Sequence, residues 1–258
     1  MAKTIDIQAA TEEFLADIRT AFGDTASSVI LYGPAARGTV TDEAGISFMV
    51  ILADNSPSEL AKCAGFLKKW EKRGIALPLF LSDDYIRRSL DSFPLEFMAM
   101  KAFSRVVAGG DVLGDLSFDP ADVRSQCERE LKGKLIHLRA EYLSSRGDAK
   151  RLMNLVGLTL DAFRLVFTGV LFLKNIDVPA ATGDLTDAVA GAYDLDATLF
   201  KKLLAVAEGD VSVSGSEADE LFDRYVEELM KLSRAVDIHR TGTDPGGPQS
   251  AKPEETGY

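Results

Sequence analysis

Histidine and cysteine are nearly missing from this chain. Only His137, His239, Cys63 and Cys127 occur in 258 residues. They form no CxxC pair and no cluster with metal-ligand spacing, which argues against a zinc centre. Isolated thiols fit a reducing compartment, and packing as small hydrophobes is their expected role. A basic surplus is also missing: 29 Lys and Arg stand against 40 Asp and Glu, for a net charge of −11. That balance argues against general nucleic-acid binding. No P-loop, no dinucleotide-binding glycine fingerprint and no serine nucleophile elbow occurs. The apolar stretch 152–173 is the only one that raises a membrane question. Asp161 and Arg164 near its middle would each cost about 2.5–3.5 kcal/mol in lipid, so a buried bundle helix is expected instead. The Met-Ala-Lys-Thr-Ile-Asp start has no apolar signal region. A cytoplasmic protein with no membrane partner is the expectation.

What is present is a strand–turn–helix–strand unit near the N-terminus. Residues 28–32 and 46–52 are apolar runs rich in Val, Ile and Leu, bounded by glycines, as buried strands are. Gly33 allows the turn, and Pro34 suits the first position of a short helix. A helix over 5–22 precedes this unit. An amphipathic helix over 58–73 and a third strand over 75–81, with Pro78 marking an edge or bulge, follow it. Ser82, Asp83 and Asp84 read as a helix start, and 105–108 as a further strand before the turn at Gly109-Gly110-Asp111. From Asp119-Pro120 onward only helical periodicity remains: 120–146, 149–174, 184–193, 197–208 and 216–239. The fold class expected is α+β, a small mixed sheet with helices over 1–115 followed by an all-helical bundle over 116–240. Residues 241–258 lack apolar groups to bury and are expected to be disordered.

The run Leu31-Tyr32-Gly33-Pro34-Ala35-Ala36-Arg37-Gly38, followed by the strand at Ile46, resembles the nucleotidyltransferase superfamily of DNA polymerase β and kanamycin nucleotidyltransferase. Its signature is a hydrophobic residue, Gly-Ser-x-Ala-Arg-Gly, and then Ser-Asp-x-Asp leading a strand. Gly33, Ala36, Arg37 and Gly38 fall on that pattern, while Pro34 replaces the phosphate-binding Ser. Ala44 and Gly45 stand where Ser-Asp would be, and Ser47 where the second Asp would be. The segment Ser92-Phe93-Pro94-Leu95-Glu96-Phe97 resembles a bacterial subgroup of nucleotidyltransferase-like proteins that carry Phe-Pro-hydrophobic-Glu-Phe after the third strand. The resemblance extends over residues 25–175.

In that family two carboxylates at i and i+2 on a strand hold Mg²⁺ ions that bridge the nucleotide phosphates. Gly45 and Ser47 supply no such charge, and Pro34 offers neither hydroxyl nor N–H to a phosphate. The resemblance therefore implies a protein that has lost nucleotidyl transfer, a pseudoenzyme. Its expected role is a nucleotide- or anion-sensing module, or a protein-interaction module that binds a partner or itself. Candidate nucleotide contacts are Gly33, Arg37, Gly38, Arg129 and Lys132. The basic row Arg129, Lys132 and Arg139 reads equally as a solvated, salt-bridged helix face. Arg37 reads equally as a structural tie to a carboxylate such as Glu96. The alternative is an active Mg²⁺-dependent enzyme with displaced ligands drawn from Asp42, Glu43, Asp83 and Asp84. No cofactor is expected, with Mg²⁺ needed only if nucleotide binding survives. Arg234 and His239 match the loose Arg-x4-His spacing of HEPN ribonucleases, and equally a pair of cations at a helix C-terminus.

Overall fold

The computed structural model describes residues 6–38, 45–145, 147–179 and 181–239. Asp42, Glu43 and the segment 241–258 lie outside them. The fold is α+β, a four-stranded mixed sheet with helices followed by a helical region. The sheet order is β3-β2-β1-β4. Strand β1 (Ala26–Tyr32) runs antiparallel to β2 (Ser47–Leu52) on one side and to β4 (Ser104–Gly109) on the other. The short β3 (Leu79–Leu81) lies parallel to β2.

The unbroken apolar runs of β1 and β2 are explained by burial on both faces. Val29, Leu31, Phe48, Val50 and Leu52 meet α1 (Ile7–Phe22) through Phe14, Ile18 and Phe22. The Phe14 and Phe48 rings stack at 4.2 Å. On the opposite face Ile30, Met49 and Ile51 meet Ile86, Phe97, Leu113 and Leu116. Asp17 on α1 is buried, but it accepts from Trp70 Nε1 at 3.0 Å and Lys69 Nζ at 2.8 Å. Its charge therefore has the donors that burial requires.

Two local expectations change. The region expected as one helix over 58–73 is broken into α2 (Pro57–Leu60), a 3-10 turn at Ala61–Cys63 and α3 (Leu67–Lys72). Gly65, the costliest residue for a helix interior after proline, lies in the break. The third strand is confined to Leu79–Leu81, with Ile75 making one isolated parallel bridge to Ile46. Pro78 between them brings no N–H to a ladder.

Helix α4 (Asp83–Arg88) is capped by Ser82, whose Oγ accepts from Tyr85 N at 3.1 Å. Helix α5 (Pro94–Ala102) begins on its proline. The helical region then comprises α6 (Pro120–Ser145), α7 (Ala149–Ala162), α8 (Arg164–Leu173), α9 (Thr182–Tyr193), α10 (Ala197–Glu208) and α11 (Gly215–Asp237). Helices α7 and α8 were expected as one; they meet at a bend of 45°. Thr159 Oγ1 donates to the carbonyls of Leu155 and Val156 just before the break, a pairing that tilts carbonyls and bends helices. Among the described residues no single helix is long and apolar enough to cross a membrane. Most of α8 is buried within the protein.

The two halves are joined through α5, which is buried from both sides. Phe97 belongs to the sheet-side cluster, whereas Leu95 and Met98 belong to the helical core. Gly169 on α8 makes room for this: a Cβ there would meet Leu95 Cδ2 at 2.3 Å and Cys127 Sγ at 2.6 Å. Gln126 on α6 adds the polar part. Its Oε1 accepts from Leu95 N at 2.9 Å, satisfying a donor at the start of α5, and its Nε2 donates to Glu96 at 2.8 Å.

Gly169→Ala is expected to lower stability by about 1–3 kcal/mol despite the better helix propensity of alanine. Gly133→Ala, where a Cβ meets nothing within 4 Å, is expected to gain up to about 1 kcal/mol. Urea unfolding midpoints of the two variants check this opposition of sign. Both cysteines are buried, and burial pushes the Cys127 thiol up to about 12 and the Cys63 thiol upward. A thiol-reactive dye at pH 8 is therefore expected to label neither in the folded protein and both in denaturant.

Candidate functional site

The site is built where β1 ends. Gly33, at φ 74°, turns the chain out of the sheet, and its N–H donates to the Phe103 carbonyl at 3.1 Å. Pro34–Arg37 forms one 3-10 turn rather than an α-helix, closed by Gly38 at φ 80°. Gly33, Arg37 and Gly38 are thus held together as one turn against the end of α5. The Arg37 guanidinium lies 4.7 Å from the Phe103 ring centroid, a cation–π contact. Among the described residues no carboxylate pairs with it, and Glu96 serves Gln126. Arg37 is half-buried.

Beside this turn, Ser47 opens β2 directly opposite Tyr32. Residues at i and i+2 share a sheet face, so Ser47 looks with Met49 and Ile51 toward the side that α4 and α5 cover. Burial raises the Tyr32 phenol, and a hydrogen bond with the Ser47 hydroxyl partly offsets that. The corner therefore holds a neutral phenol–hydroxyl pair. Gly45, the other position expected to carry a carboxylate in a metal-binding version of this frame, has φ 58°. A Cβ on it would come within 3.0 Å of the Gly74 carbonyl, which already accepts from Ile46 N at 2.7 Å. The backbone is shaped for glycine there, so an aspartate would be strained in both φ and space.

Asp83 and Asp84 lie in the first turn of α4. Each pairs with an arginine one turn along: Asp83 with Arg87 at 2.9 Å and Asp84 with Arg88 at 2.8 Å. Asp83 Oδ1 is shielded and makes no hydrogen bond. Among the described residues no three His, Cys, Asp or Glu side chains are grouped so as to hold a metal ion.

Arg129 and Lys132 lie on α6, and both are exposed. Lys132 bonds Glu128 and reaches Asp237 on α11 at 3.3 Å. Gln126, which faces α5, and Lys132 point roughly 120° apart around the helix. Lys132 is therefore on the flank of α6 that meets α11, away from the flank that meets α5. Phe103 and Tyr32 were not singled out in the sequence as partners of this corner. The strand register makes Tyr32 legible once Ser47 is suspected, but nothing local ties Phe103 to Arg37. At this same C-terminal end of α11, the Ile238 and His239 amides donate to Arg234 and Val236 carbonyls, in keeping with a capped helix C-terminus.

No protein-family model matches the chain, and no curated protein matches it in sequence.

Gly45→Asp is expected to cost about 1–3 kcal/mol, and Ser47→Ala about 1 kcal/mol through loss of the bond to Tyr32. Thermal melts of the single variants check both. The Gly45→Asp/Ser47→Asp protein is expected to melt lower still.

Proposed function

We propose that this chain is a nucleotidyltransferase-fold protein that does not transfer nucleotides and works through protein contacts. The observation that carries the reading is the corner at β1 and β2. A metal-binding version of this frame needs two anionic ligands, whereas here a left-handed Gly45 and a Ser47 turned to Tyr32 occupy those positions. A hard divalent cation is not held by one serine hydroxyl. The turn that would cradle a phosphate begins with Pro34, which has no N–H to donate. The sequence motif Gly33-Pro34-Ala35-Ala36-Arg37-Gly38 is what suggests that family.

A second reading has its own observation. Arg37 lacks a carboxylate partner among the described residues and is only half-buried, so it can receive an anion at the turn. Under that reading the protein senses a nucleotide or another phosphate-bearing molecule without chemistry.

Two measurements separate these readings from an active enzyme. Calorimetric titration with Mg²⁺-ATP is expected to give no binding heat, and radiolabelled nucleotide is expected to label no acceptor. Mg²⁺-dependent labelling that disappears on changing Asp42 or Asp83 would overturn the proposal in favour of displaced ligands. Binding without transfer, lost in Arg37→Ala, would replace the protein-contact reading by the sensing one.

A further inference from the structure

Helix α6 carries a second stripe beside the one that fills its core. Arg129, Lys132, Ile136, Arg139 and Leu143 recur at alternating steps of three and four residues, the heptad spacing that keeps one seam facing a partner. Ile136 is 65% exposed and Leu143 78%. Folding of one chain therefore leaves the apolar members of this stripe in water.

Helix α11 lies antiparallel beside it, as three contacts show. Lys132 meets Asp237, Arg139 Nη2 approaches Met230 Sδ at 3.4 Å, and the Tyr142 and Phe222 rings stack at 5.0 Å. Toward the same outer side α11 presents Asp219, Asp223, Val226 and Met230 at matching heptad steps, with Glu227 four residues after Asp223. A groove of about 500 Å³ runs between the helices, floored by Tyr142, Phe222, Val226 and Met230. The face is thus divided lengthwise, with cations along α6, carboxylates along α11 and apolar side chains between. Asp219 raises the Tyr142 phenol, with Asp223 adding to it, as a negative flank should. Arg234 is the one cation on the outer side of α11, and Glu128 is already shared between Arg124 and Lys132. Arg139 has no carboxylate of its own among the described residues.

We propose that the α6–α11 face is a self-association surface, where two copies pack in a two-fold dimer with each α6 over the second copy's α11. Charge complementarity selects this occupant. A two-fold axis along the helices exchanges the flanks, so the basic stripe meets the acidic one twice. An axis across the helices would set α6 on α6 and like charge on like. The size also suffices. Helices of 26 and 23 residues are about 35–40 Å long, and a pair is about 20 Å wide. Full coverage would remove about 1,400 Å² in total, within the range of stable interfaces. Ile136 and Leu143 supply apolar anchors, and the charged rim sets the register. This deepens the protein-contact reading above, but it stands on the helical half alone. Nucleotide titration tests one and sedimentation the other.

Sedimentation velocity over a wide concentration range is expected to show a reversible dimer that weakens as salt rises. Ile136→Glu/Leu143→Glu touches no core side chain and is expected to weaken the dimer at least about tenfold with an unchanged thermal melt. The decisive arm exchanges charge. Arg129→Glu/Arg139→Glu and Asp223→Lys/Glu227→Lys are each expected to be monomeric alone and to form a heterodimer when mixed. A wild-type protein that stays monomeric throughout overturns the proposal. So does a dimer indifferent to all three variants, or a mixture that stays monomeric while both components keep native circular dichroism.

Discussion

The structure depends on one double-sided packing constraint, the burial of α5 from two directions. Nine residues cannot present separate faces to two cores unless their neighbours come very close. Gly169 allows α8 to do so, because a side chain there would collide with Leu95 and Cys127. Pro94 starts the helix where its missing N–H has no cost, and Gln126 satisfies the next donor from across the junction. The polar bond sets the orientation of α5, and the apolar contacts supply most of the free energy. Phe97 on one side and Leu95 with Met98 on the other make the sheet and the helical region share a joint.

That joint also explains the corner at the end of β1. The carbonyl of Phe103, just past α5, receives the Gly33 amide, and its ring lies under Arg37. The glycine turn is therefore held by the same helix that holds the halves together. The chemistry of the corner is neutral where charge would be needed to bind a metal. Tyr32 and Ser47 face each other across the strand pair, and Gly45 uses a backbone conformation that a side chain would strain. Charge at the turn is confined to Arg37, softened by an aromatic face rather than balanced by a carboxylate.

The helical region has the opposite character. Its core is closed by residues such as Tyr225, Phe167 and Phe200, whose rings meet edge to face. Yet α6 and α11 keep an ordered outer stripe that this core does not use. Ile136 and Leu143 stand seven residues apart on the wet side of α6. The lengthwise division of charge on the same face gives that spacing a physical context.

Much of the architecture was legible in the sequence, because it follows from short-range rules. Unbroken Val, Ile and Leu runs meant buried strands. Asp119-Pro120 marked the start of α6, and the stripe Val123, Cys127, Leu131, Leu135 and Leu138 marked its core side. The absence of carboxylates at Gly45 and Ser47 was equally plain. What the tertiary structure decided involves partners far apart in the chain. Arg37 read equally as a nucleotide contact and as a tie to a carboxylate such as Glu96; Glu96 is bonded by Gln126, and Arg37 lies on Phe103. Local pattern did not show that Lys132 would reach Asp237 on α11, or that the helix expected over 149–174 would bend at Phe163. Periodicity says which side of an element is apolar, and only packing says which neighbour that side meets.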